Sequence, residues 1–173
     1  HTLRMTVYDT GGLSGSAQVT VTVDNSAGAG GLRGDYYSGM NFNTYLMSRV
    51  DPQVNYDWGT GSPDTSVPVD GFSVRWTGVI TPAFSETYTF FTQSYDGSRL
   101  WVNGQQLVNQ WVNQGSTEWS GMIALTAGVP VTVTFEYFEN GGGALAQLSW
   151  QSASQAKGLI PNTAMGTSFS SGP

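Results

Sequence analysis

From Phe72 to Trp150 the apolar side chains recur at every second position, in short runs broken by turn residues. Phe72, Val74 and Trp76 alternate with Ser73, Arg75 and Thr77, and Val131, Val133, Phe135 and Tyr137 alternate with Thr132, Thr134 and Glu136. A period of two sends successive side chains to opposite faces of an extended strand, so each run has one face to bury and one to wet. No stretch of the chain sustains helical periodicity. Strands of this kind at short spacing predict an all-β protein, an antiparallel β-sandwich of jelly-roll type.

Eight Phe, eight Tyr and six Trp supply enough large side chains for the core of a sandwich. Only 10% of residues are charged and Gly numbers 23, so the surface is polar mainly through Thr, Ser, Asn and Gln, which suits an extracellular or cell-surface β-protein. The formal charge is −6 with no basic cluster, which argues against a nucleic-acid partner. The absence of Cys excludes disulfides and thiol chemistry, and a single His at position 1 excludes a His-based triad or His-ligated zinc. No apolar run approaches the roughly 18 residues of a membrane span. With no initiating Met and no signal peptide, the chain reads as a mature product or an excised piece of a secreted protein.

Residues 1–25 form a unit of their own. Leu3, Met5 and Val7, the turn Asp9–Gly12, then Ala17, Val19, Val21 and Val23 predict a hairpin with one apolar face. An isolated hairpin is marginal in water, so that face needs a partner: the main domain, a neighbouring domain or another copy of the chain. Its TVTVD ending resembles the last two strands of a bacterial immunoglobulin-like or cadherin-like repeat. Small residues at 26–30 make a linker, the sandwich is expected over 31–166, and 167–173 form a polar tail.

Within the sandwich, Tyr88–Thr92 and Arg99–Val102 flank Ser94-Tyr95-Asp96-Gly97, which predicts a β-hairpin with a carboxylate at its tip and a positive φ at Gly97. Asn103-Gly104 predicts a second turn. Asp96 has two readings, a ligand for a cation or a hydroxyl-rich molecule and a turn former. Asn140 with Gly141–Gly143 likewise offers an amide and carbonyls to a ligand, or is a hairpin whose glycines allow unusual φ. Trp111, Asn113, Gln114 and Trp119 either line a groove or plug the sandwich end; Trp76, Trp101 and Trp150 are expected in the core. Arg75 is expected to pair with Glu86 or Glu136. Asp57, Asp64 and Asp70 share one long loop, as solvated carboxylates or as calcium ligands. Asp96 and Glu139, near loops expected to converge, could also be arranged as glycosidase carboxylates, and nothing in the sequence marks either with a raised pKa.

Five ordered segments, GLRGDYY, SRVDPQVNYDWGTGSP, FSVRWTGVITPAFSETYTF, SYDGSRLWVNGQ and EYFENGGGALAQLSW, closely resemble the PA-fourteen domain, the β-sandwich module first named from anthrax protective antigen. The resemblance covers residues 31–164. It implies a non-catalytic, extracellular carbohydrate-binding module of a bacterial adhesin, surface protein or secreted hydrolase, with ligand-binding residues at Tyr95, Asp96, Glu139, Asn140, Gly141 and Gly142. It also implies calcium as a cofactor, held through Asp96 and Asn140. In the family two consecutive Asp residues joined by a cis peptide hold the ion. Here Tyr95 replaces the first Asp, which removes a carboxylate from a cation that gains affinity with ligand charge. Without that ion a trans Tyr95–Asp96 bond is expected. The alternative function is a structural or assembly subunit of a surface filament, joined through the N-terminal hairpin, with sugar binding lost.

Overall fold

The structure is a computed structural model that describes the backbone of residues 2–8 and 14–20 and all atoms of residues 30–167. Strands β1 (Thr2–Tyr8) and β2 (Ser14–Thr20) pair antiparallel, from Thr2 opposite Thr20 to Tyr8 opposite Ser14. The predicted turn at Asp9–Gly12, the linker residues 26–29, Val21, Val23 and tail residues 168–173 lie outside the described residues, as does the hairpin's predicted apolar face.

Two antiparallel sheets make the sandwich. One runs in the order β4 (Thr44–Asp51), β3 (Leu32–Ser38), β6 (Phe72–Ile80), β11 (Val131–Glu139), β8 (Ser98–Val102) and β9 (Gln105–Gln110), with β14 (Met165–Gly166) added beside β6. The other runs β10 (Thr117–Leu125), β7 (Glu86–Tyr95), β12 (Ala144–Gln151) and β13 (Gly158–Leu159), with β5 (Asn55–Gly59) also paired to β12. The all-β sandwich expected from the alternation is therefore present. Trp76, Tyr36, Tyr88, Phe72, Phe90, Phe135 and Tyr137 are fully buried between the sheets, where apolar burial supplies the main stabilising term.

The segment from Tyr88 to Val102 is not the predicted hairpin. β7 pairs with β10 and β12, whereas β8 pairs with β11 and β9, so Asp96-Gly97 carries the chain from one sheet to the other. The same holds for Asn140–Gly143, which joins β11 of the first sheet to β12 of the second. Local turn chemistry does not distinguish a hairpin from a corner; the pairing partners decide. Gly97 also has a different reason from the predicted positive φ: a Cβ there would lie 2.2 Å from a ring carbon of Phe138. Asn103-Gly104 does form the tight hairpin turn between β8 and β9, with φ of 50° and 76°.

Other expectations divide in the same way. Trp76 and Trp150 are in the core, but Trp101 lies half-buried on the outer face beside Arg99. Arg75 pairs with Glu136 at 2.7 Å, and Arg99 shares that carboxylate, while Glu86 instead accepts from Ser154. Ile160 is buried, and Gly158–Leu159 forms a short edge strand against β12.

Register defines the two ends of the sandwich. Leu32, Ile80, Val131 and Met165 mark one end, where the chain enters past Gly30 and leaves after β14. Ser38, Phe72, Glu139 and Asp96 mark the other, about 26 Å away along β6 at the usual rise per residue.

Candidate functional site

Three loops converge at that far end, and Asp96 ties them together. The residue follows β7 directly, is buried at 5% exposure, and is joined to Tyr95 by a cis peptide. The cis bond corrects the trans expectation. The polar groups of this corner have protein partners. The Tyr95 carbonyl accepts from the Tyr137 hydroxyl, the Asp96 N–H donates to the Phe138 carbonyl at 3.2 Å, and the Asp96 carbonyl accepts from Nε2 of Gln114 at 3.1 Å. The carboxylate is likewise divided between two loops: Oδ1 accepts the backbone N–H of Gln114, and Oδ2 that of Asn140, each at 2.9 Å.

Around this centre the predicted site residues take distinct positions. Tyr95 is half-buried, with its ring over the glycine loop: a Cβ at Gly142 would stand 3.1 Å from its hydroxyl, and one at Gly143 3.7 Å from its ring. Glycine at both positions lets the loop pass that close, and Gly142 also has φ +100°. Asn140 and Gly141 are exposed at the rim. Glu139 does not reach the surface at all. It is fully buried, its Oε2 accepts the Gly71 N–H at 3.1 Å, and its Oε1 has no partner.

Burial pushes the Glu139 carboxyl up to about 7; the Gly71 hydrogen bond opposes this, and the nearby Asp70 and Asp96 carboxylates add to it. No residue near Glu139 in the chain signals that shift, because its burial depends on Gly71, far away in sequence. The same burial raises the Tyr137 phenol, with Glu139 and Asp96 contributing further. A sealed carboxyl has no surface from which to protonate a glycosidic oxygen.

The third loop, 111–116, was visible in the sequence only as a polar segment with aromatics. Gln114 leads it to Asp96, and Trp119 donates from Nε1 to Oε1 of Gln114 at 3.1 Å. Trp111 lies edge-on to Phe138 at 4.7 Å, beneath the guanidinium of Arg99 at 4.0 Å, so it covers the outer face of β8 and β11 instead of lining a groove or plugging the sandwich end. Ser94, Tyr137 and Gly71 complete the surroundings and carry no sequence signal of their own. Asp57 lies on β5 and not in the loop expected to hold it, because that segment pairs with β12; it accepts from Gly59 N–H, and Asp64, in the loop, accepts from Ser66 N–H.

A calcium ion needs six to eight oxygens. What surrounds the Asp96 carboxylate is N–H donors, and no cluster of three or more acidic or His side chains fit to share an ion occurs among the described residues. The donor set does not fit that ion.

Comparison with known proteins places this architecture. The family model for the PA14 domain matches residues 28–164. The anti-sigma-I factor RsgI3 of Acetivibrio thermocellus is 46% identical over 142 residues, covering 82% of this chain and 22% of that protein. A solved anti-sigma factor domain-containing protein shares 44% identity at a TM-score of 0.81, over 84% of this chain and 50% of its own. The fold also matches the PA14 sugar-binding domain from an RTX adhesin, at 19% identity and a TM-score of 0.66, over 81% of this chain and 99% of that one. The chain thus spans about a fifth of the curated relative and half of the solved one. With the matched residues running from just before β3 to the turn that precedes β14, the chain belongs to the PA14 domain family.

Proposed function

We propose that this chain is a non-catalytic carbohydrate-binding module that takes its ligand at the loop end formed by Tyr95-Asp96, 111–116 and Asn140–Gly142. One observation carries the reading: Asp96 gathers three loops at the end of the sandwich remote from Gly30 and β14. Tyr95 offers a half-exposed ring to a sugar face, and the exposed Asn140 offers an amide to hydroxyls. Family membership supports the class of ligand, since a fold neighbour is titled a sugar-binding domain. Burial of Glu139 supports the non-catalytic assignment, because among the described residues the one carboxyl with a raised pKa has no access to substrate. Such a module works outside the cell, and among the described residues no helix is long and apolar enough to cross a membrane.

A second reading concerns use rather than ligand. Identity of 46% to an anti-sigma-I factor, of which this chain matches 22%, favours a glycan-sensing module of a longer regulatory protein over an adhesin module. Binding to an array of soluble and insoluble polysaccharides, with Tyr95→Ala beside the wild type, tests the proposal. Retention on at least one polysaccharide that is lost in the variant supports it; equal behaviour of both proteins on every polysaccharide refutes it.

A further inference from the structure

Gln114 is the residue that most sets this loop end apart. Its backbone N–H donates to Oδ1 of Asp96 and its side-chain Nε2 to the Asp96 carbonyl, with a longer contact of 3.4 Å to Oγ of Ser94. Which way the amide faces is fixed by chemistry. An indole N–H can only donate, so the Gln114 atom 3.1 Å from Nε1 of Trp119 is the oxygen, and the nitrogen faces Asp96. That side of the corner accordingly presents hydrogens where a cation site needs oxygens. Asn140 does the same on the other side with its backbone N–H. Two amides facing one carboxylate satisfy its charge by charge-assisted hydrogen bonds.

We propose that Gln114, keyed by Trp119, takes over the loop-joining role of a cation, so that the ligand-binding end of this module assembles without calcium. Gln114 is then a positioning residue: it holds Asp96 and the loop of residues 111–116 in place for the ligand. The inference rests on the proposed binding end for its functional meaning, and on the hydrogen bonds alone for its structural one.

Thermal unfolding of the wild-type protein in excess calcium and in excess chelator tests the structural part without any glycan. A ligand that binds the native state raises the melting temperature by mass action, so a resident calcium site gives a clear upward shift. The expected result is the same melting temperature in both. A shift in the wild type that disappears in Asp96→Asn overturns the proposal. Gln114→Ala and Trp119→Phe supply the second measurement. Both are expected to lower the melting temperature and to weaken binding of a polysaccharide retained by the wild type, by about fivefold for Gln114→Ala, the equivalent of the one neutral side-chain hydrogen bond to the Asp96 carbonyl that this change removes while the backbone N–H to Oδ1 stays. Melting temperatures and affinities of both variants equal to the wild type overturn the clamp. If no polysaccharide binds the wild type, the binding reading fails while the calcium and melting measurements still decide the clamp.

Discussion

Two buried carboxylates at different places in the sandwich are treated in opposite ways. Asp51, at the end of β4, is 1% exposed and accepts from four side chains: Tyr36 and Tyr56 at 2.6 Å, Trp76 and Arg49 at 2.7 Å. Its donors come from β3, β4, β5 and β6, so both sheets are tied to one residue. The packing is tight enough that a Cβ at Gly34 would lie 2.4 Å from Oδ2, and burial together with Asp51 pushes the Tyr36 and Tyr56 phenols up. At the loop end, Asp96 is held by backbone N–H groups of loops, and beneath it Glu139 keeps one oxygen with no donor. The contrast teaches where this fold tolerates incompleteness. A carboxylate filled by side chains on strands fastens the sheets; carboxylates filled by loop amides can trade those partners, which is what a binding end needs.

Removing the fastening is the most damaging change. Asp51→Ala removes the acceptor of the buried Tyr36 phenol and Trp76 indole N–H and of the half-buried Tyr56 and Arg49, and a cost of about 3 to 5 kcal/mol is expected by chemical denaturation. A cost below about 1 kcal/mol would erase the distinction between the two regions. Asp96→Ala removes acceptors for only two backbone donors at a rim that water can reach. It is expected to cost about 1 to 3 kcal/mol and to abolish polysaccharide retention at a temperature where the protein remains folded.

Glu139 gives the comparison a sign. Its carboxyl holds its proton to about pH 7 in the folded protein, well above the 4.5 of an unstructured glutamate. Burial therefore favours folding when the group is protonated, and this advantage is lost as pH rises from about 4.5 through 7. Glu139→Gln keeps the shape and removes the charge. It is expected to gain on the wild type over that interval, by about 1 to 3 kcal/mol above pH 7, with little difference at pH 4. Wild-type stability that instead rises between pH 5 and 7 relative to the variant contradicts the assignment. The smallest effect is expected at the exposed pair Lys157–Glu118: Lys157→Met should change stability by no more than about 1 kcal/mol and leave binding intact.

Much of this was legible in the residues. Alternation at β6, β7 and β11 announced the sandwich and most of its core, because period-two patterning survives in any sheet. The two corners were misread as hairpins, since Asp96-Gly97 carries the same turn chemistry either way and only the cross-sheet partners separate the cases. Five of the six predicted ligand residues lie at the loop surface or bridge it. Glu139, the sixth, is beneath it, since the loop 60–71 folds over its carboxyl through Gly71, a contact 68 positions distant in sequence. Gln114 carried no signal beyond its polar neighbours, and its importance comes entirely from the indole that orients it.

Hydrogen–deuterium exchange with and without a retained polysaccharide tests the central claim most directly. The account predicts new protection confined to 95–97, 111–116 and 140–143. At the opposite end an open cavity of about 410 Å³ is lined by Thr81, Pro82, Trp150, Pro161 and Thr163, and the Trp150 indole N–H has no acceptor. Protection appearing there, with the loops around Asp96 unchanged, would contradict the account and move the binding site to the other end of the sandwich.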